Sequence, residues 1–135
     1  FDTSSLPDTA TITSVKVKMR RNGLTGTDPF TTHGNLAMDI IKGTFGGAAL
    51  ESGDFQTPAN ASDVATFTHP TANGQWAEAT VPSWAFSIVN LTGKTQVRAY
   101  FTLDDNDDVS DDYISFASGN HSTTSYRPVL EVVYQ

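Results

Sequence analysis

Nine residues, Asp104, Asp105, Asn106, Asp107, Asp108, Val109, Ser110, Asp111 and Asp112, hold six of the chain's fifteen acidic side chains. Carboxylates crowded this closely repel one another unless a cation or protons sit among them. Asp104, Asn106 and Asp108 have the first, third and fifth spacing of a calcium loop, with Asp112 at the ninth position, and Asp105 and Asp107 add carboxylates to the same turn. Hard oxygen donors at this density suit Ca²⁺. Val109 stands where an EF-hand has its turn glycine and Ser115 where it has its bidentate glutamate, so an EF-hand proper is excluded. Two readings stay open. One is a structural calcium site holding the loop between two strands; the other is a solvated acidic turn that aids solubility and blunts a sheet end.

Other chemistry is sparser. His33, with Asp28 and Asp39 near it in sequence, could add a ligand only if its loop folded toward the acidic one, and a loop histidine satisfied by a backbone carbonyl is the plainer reading. His69 and His121 share no spacing with it that would make a three-histidine site. There is no Gly-x-Ser-x-Gly elbow, His-Glu-x-x-His pair or phosphate-cradling glycine loop, which argues against an enzyme. Trp76, Trp84, Tyr100 and Tyr113 are candidate stacking platforms for sugar rings, with Arg98 beside Tyr100 on the same strand face, although each aromatic can equally be core. Arg127 before Pro128 reads as a strand entry whose cation could meet an acidic loop residue. Asn60, Asn90 and Asn120 begin Asn-x-Ser/Thr acceptors of the kind that Ser- and Thr-rich chains produce by chance.

The elements that must position these residues are strands. Val15, Val17 and Met19 alternate with Lys16, Lys18 and Arg20; Leu36, Met38 and Ile40 flank Asp39; Val97, Ala99, Phe101 and Leu103 alternate with Arg98, Tyr100 and Thr102; and Leu130, Val132 and Tyr134 share a face near the end. A period of two with one apolar side marks a half-buried strand. Weaker runs lie near 64–68, 75–81, 88–91 and 113–116. Residues 48–52 and 83–88 could each form about one helical turn, too short for an amphipathic helix. Gly23, Gly26 and the Gly46–Gly47 pair mark sharp turns. Seven to eight short antiparallel strands with minimal helix predict an all-β fold, a jelly-roll-like β-sandwich, over residues 1–135 as a single module.

Charge and composition narrow the classes. The net charge of -7 falls to -1 when the six loop acids are set aside, so the acidity is local and nucleic-acid binding is not expected. Cysteine is absent, which leaves a metal only oxygen or histidine ligands. No apolar run is long enough for a membrane span, and no membrane insertion is expected.

Three stretches carry a family resemblance: Phe1-Asp2-Thr3-Ser4-Ser5-Leu6-Pro7 before the first strand, residues 96–120, and the closing Arg127-Pro128-Val129-Leu130-Glu131-Val132-Val133-Tyr134. In order and spacing the chain resembles a DNRLRE-type domain, related to disaggregatase-like repeats. The resemblance implies an extracellular β-sandwich module of secreted bacterial or archaeal surface proteins, serving attachment or carbohydrate binding. It also implies one or two strands before Phe1, whose lack would open a sheet edge. The expected function is a non-catalytic attachment module that binds cell-surface or extracellular polysaccharide, with Ca²⁺ structural in the acidic loop. The alternative is a structural or adhesive building block meeting neighbouring copies or domains, completed by a β-strand from a neighbour. A secreted hydrolase ranks last.

Overall fold

The computed structural model describes residues 1–104 and 106–135. Asp105, one of the carboxylates assigned to the metal loop, lies outside the described residues. Seven strands form two antiparallel sheets: β1 (Ile12–Gly26), β2 (Leu36–Lys42), β3 (Ala61–Thr66), β4 (Trp76–Thr80), β5 (Thr95–Phe101), β6 (Asp112–Phe116) and β7 (Val129–Tyr134). The only α-helical turn among the described residues is α1 (Pro29–Thr32), capped by the Asp28 carboxylate accepting from Phe30 N–H. Short 3-10 turns occupy Ser52–Phe55, Ser83–Ile88 and Thr124–Tyr126. The architecture is an all-β sandwich.

The first sheet is organised by β1. Its first half pairs with β7 on one side and β4 on the other, with Lys16 opposite both Thr80 and Glu131. Its second half pairs with β6 after a register shift between Arg21 and Gly23. A bulge of this kind admits an extra residue and re-aims the strand. The second sheet has the order β3-β2-β5. The N-terminal residues lie along β5 on the side away from β2: Thr3 N–H donates to Gly93 O, and Phe1 and Thr95 exchange both backbone hydrogen bonds. The Thr3 hydroxyl is buried against Asn90 O, Gly93 O and the Thr95 hydroxyl, which fixes that attachment.

Between the sheets lies one apolar core built from Val15, Val17, Leu36, Met38, Ile40, Val64, Phe67, Ala77 and Ala79, with Met19, Val97, Ala99, Phe101, Leu130 and Val132 packed around it. These are the alternating positions on which the strands were read. The differences are local. β5 ends at Phe101, and Leu103 is 59% exposed because the chain turns out to bond residues 33–35, Thr102 N–H to Asn35 O and Leu103 N–H to His33 O. Tyr134, at the end of β7, is exposed where Leu130 and Val132 pack against the core. Residues 88–91, expected as a strand, complete the Ser83–Ile88 turn and a bend, and the turn expected at 48–52 sits at Ser52–Phe55.

Asp39, expected on a wet face, is buried. The chain between β2 and β3 folds back over the outer face of the second sheet: Phe45 is buried there, its N–H donating to Gln96 Oε1. Beneath that cover Arg98 donates from Nε and Nη2 to Asp39 Oδ2 and from Nη1 to the carbonyls of Asp54, Phe55 and Thr57 at 2.8, 2.9 and 3.0 Å. Its guanidinium lies 4.5 Å from the Phe45 ring centroid. Arg98 was expected as an open ligand-binding side chain. It is a clamp whose donors are spent on Asp39 and on three carbonyls of the covering loop.

Candidate functional site

The acidic loop leaves β5 and enters β6, as its flanking strands require. Asn106 Nδ2 donates to Asp108 Oδ2 at 3.0 Å and to Asp112 Oδ2 at 3.3 Å, while Asp108 Oδ1 accepts from Ser110 N–H at 2.8 Å. Asp112, whose side chain is 4% exposed, also accepts from Thr27 N–H and faces His33 Nδ1 at 4.0 Å. The structure therefore gathers Asn106, Asp108 and Asp112 and brings His33 beside them. Among the described residues no three acidic or histidine side chains form a metal cage; the convergence is two carboxylates and one amide. Asp104 leads into the loop, and Asp107 and Val109 take positive φ of 56° and 55°. Asp28 is turned elsewhere, toward His69 Nε2 at 2.9 Å and Arg21 Nη1 at 3.5 Å, and Asp39 belongs to Arg98. Arg127, expected to meet an acidic loop residue, donates from Nε to His121 O at 2.9 Å.

The expected aromatic platforms are dispersed. Trp84 stands 66% exposed in the turn between β4 and β5, Tyr113 is exposed at the start of β6, and Tyr100 is half-buried on the covered face of the second sheet. No ring contact among the described residues joins them to one another or to Trp76. Burial, and after it the Asp39 carboxylate, pushes the Tyr100 phenol above its ordinary value of 10.0. A folded-state value above the unfolded one gives stability that is complete below the unfolded value and is lost as pH rises through the folded one. Tyr100→Phe is thus expected to flatten the alkaline fall in stability that sets in as pH rises past about 10, read by urea unfolding of both proteins. An unchanged alkaline slope would show that Tyr100 does not set it.

Trp76 has different company. It lies opposite Arg20 on the outer face of the first sheet, where Lys16, Lys18 and Arg20 of β1 stand beside Trp76 and Glu78 of β4. Lys18 Nζ sits 5.4 Å from the Trp76 ring centroid, and the Arg20 guanidinium 3.6 Å from that of Tyr126. Glu78 takes Lys16 Nζ at 3.0 Å and Lys18 Nζ at 3.6 Å. The hydrogen bond from Lys16 holds the Glu78 carboxyl below its ordinary value. The outcome is one band, Tyr126, Arg20, Trp76, Lys18, Glu78 and Lys16, on an open sheet face. Of this band, sequence reading chose Trp76 as a ring platform and placed Lys16, Lys18 and Arg20 on the wet side of their strand. The outward positions of the Lys16, Lys18 and Arg20 alternation were the available signal; that the run at 75–81 would pair beside them was not legible.

No helix among the described residues is long and apolar enough to cross a membrane. Compared with family models, curated proteins and solved structures, the chain matches none of them.

Proposed function

We propose that this chain is a non-catalytic attachment module of a secreted surface protein, that it binds polysaccharide on the outer face of its first sheet, and that calcium stiffens its acidic loop. The observation that carries the binding reading is the band from Tyr126 to Lys16. A sugar ring offers an apolar face rimmed by hydroxyls, and this band sets two aromatic rings among cations and a carboxylate able to bond those hydroxyls. The test is a glycan array run with calcium present, followed by titration of Trp76 fluorescence with any polysaccharide that binds. Trp76→Ala is expected to weaken binding at least about tenfold, the loss of roughly 1.4 kcal/mol, and to leave the fold intact, since the ring is only half-buried. Binding that survives Trp76→Ala unchanged would move the site off this face.

The calcium part is supported by the convergence of Asn106, Asp108 and Asp112. An amide donor bridging two carboxylates occupies the place a cation would take, and a half-turn of that amide presents Oδ1 instead of Nδ2. The donors would then all be oxygens, the set that Ca²⁺ prefers. Bound calcium would screen the loop's carboxylates and tie the start of β6 to the end of β5. Ligand binding to the native state raises the melting temperature: calcium at a hundred times its Kd is expected to add about 2.7 kcal/mol, or roughly 10 °C, relative to chelator. Asp108→Ala should abolish most of that rise. An equal melting temperature in calcium and in chelator would reduce the loop to a solvated acidic turn.

A further inference from the structure

We propose that Asn22 is a self-modifying site: its side-chain amide is lost to attack by the Gly23 nitrogen, which converts the bulge residue of β1 into aspartate and isoaspartate. Two asparagines of the chain precede glycine, Asn22 and Asn73. Glycine leaves the following nitrogen unshielded by a side chain and lets the backbone turn freely, the two conditions that closure of a five-membered ring needs. Both asparagines are exposed, so water reaches both. What separates them is how each is held.

Asn73 is locked. Its Oδ1 accepts from Arg21 Nε at 3.0 Å, and the nitrogen that would attack it, that of Gly74, donates its hydrogen to Arg21 O at 2.9 Å. Arg21 is itself fixed, 6% exposed and donating from Nη1 to Pro70 O at 2.8 Å. Asn22, at the next position of the same strand, has none of this. Pairing with β4 stops at Arg20, and pairing with β6 passes from Arg21 opposite Phe116 to Gly23 opposite Ser115, so Asn22 has no partner in either register. An unpaired bulge residue opens locally at less cost than its neighbours in the ladder. The Asn22 amide makes no side-chain hydrogen bond among the described residues. Packing also keeps the reactive neighbour in place, because a Cβ on Gly23 would lie 3.0 Å from Ser115 Oγ.

The chemistry balances with water as its only other reactant. The Gly23 nitrogen gives up its proton and bonds Asn22 Cγ, the Cγ–Nδ2 bond breaks and ammonia leaves, and a water molecule opens the succinimide so formed. Opening at Cγ leaves aspartate in an unchanged main chain. Opening at the Asn22 carbonyl carbon routes the main chain through Cβ and Cγ as isoaspartate. That second product lengthens β1 by one carbon where its two halves meet, so the pairing with β6 beyond it must shift while the pairing with β4 and β7 before it stays. The proposal stands apart from the polysaccharide and calcium readings.

The test incubates the whole chain for days in mildly alkaline buffer, one sample folded and one in urea. Peptide mass spectrometry follows the gain of about one dalton that exchange of –NH2 for –OH brings, and an isoaspartate-specific methyltransferase counts the isoaspartate. In the folded chain Asn22 is expected to convert at least about tenfold faster than Asn73, which reacts only after its hydrogen bonds to Arg21 open. In urea the two rates should converge. Three outcomes would overturn the proposal: Asn22 keeping its amide in the folded chain, which would mean that the bulge holds it as firmly as a ladder; Asn73 converting as fast as Asn22 in the folded chain, which would mean that its contacts with Arg21 protect nothing; or the same preference for Asn22 in urea, which would place it in the local sequence and not in the fold.

Discussion

Arg98→Ala is expected to be the most damaging single change in the second sheet, lowering stability by about 3–5 kcal/mol, because it leaves a buried carboxylate without its cation. Asp39, its side chain 4% exposed, would keep only Asp63 N–H and the Tyr100 phenol near it. The same change removes the donor that gathers the carbonyls of Asp54, Phe55 and Thr57, so the covering loop loses its anchor as well. Against a total stability of about 5–15 kcal/mol, typical of a domain, that is a large fraction. Urea unfolding measures the loss, and limited proteolysis should cut within 44–58 in the variant before it cuts elsewhere. The double variant Asp39→Leu/Arg98→Met should recover part of the stability, since removing both charges takes away the unpaired one. A loss under about 1 kcal/mol for Arg98→Ala would mean that the loop holds itself down without the clamp.

Gly26→Ala should rank second. Gly26 has φ of 69°, and a Cβ there would lie 1.3 Å from the carbonyl oxygen of Asp111, a distance no side chain can occupy. The left-handed backbone costs a non-glycine residue about 1–2 kcal/mol. Displacing Asp111 adds about 1–3 kcal/mol of overpacking. The displaced segment is the one that receives Thr27 N–H, at both Asp111 O and Asp112 Oδ1, so the junction of β1, β6 and the acidic loop must open. The variant is therefore expected to lose stability, and with it the calcium response proposed above. Gly53→Ala is the matched control: nothing lies within 4 Å of a Cβ there and its φ is ordinary. It should be neutral or gain up to about 1 kcal/mol through the unfolded state. If Gly26→Ala melts like the parent, the approach of Asp111 is not a fixed part of the fold.

Much of the sandwich was legible because its strands obey a period of two. Val15 and Val17, Leu36, Met38 and Ile40, and Leu130 and Val132 all point where their alternation said. Legibility failed where a residue's surroundings come from a distant segment. Nothing near Asp39 in sequence tells that residues 43–60 will fold over it, so it read as a wet-side acid, and Arg98 and Tyr100 as open surface. The reach of β1 was hidden for another reason. The shift between Arg21 and Gly23 breaks the alternation, and the strand read only as far as Arg20 runs on to Gly26 with a new partner.

The candidate sites divide in the same way. The acidic loop is a local feature, so its place between β5 and β6 followed from the flanking strands alone. The meeting of His33 with Asp112 is tertiary and no spacing foretold it. The aromatics show the limit most clearly. Alternation tells which side of a strand a ring leaves from, but which strands are neighbours decides whether rings gather. Trp76 found cations and Tyr126 nearby because β4 pairs with β1, whereas Trp84 and Tyr113 found no such company.

The dependence of the first sheet on β1 has a consequence for how the chain acquires its shape. Three strands hang on this one segment, and the last of them, β7, is met across some 120 residues of chain, as the Thr13 to Val133 hydrogen bond marks. During synthesis β1 emerges before each of the strands that pair with it, so its flank stays bare until β7 arrives. Folds dominated by such remote pairings reach the native state in milliseconds to seconds, because loop closure precedes any reward from contact. The exposed interval falls on a strand that carries Lys16, Lys18 and Arg20 along one side. Like charges every second residue oppose the stacking of one nascent copy on another, so the face proposed to bind polysaccharide also guards the chain while it is unfinished.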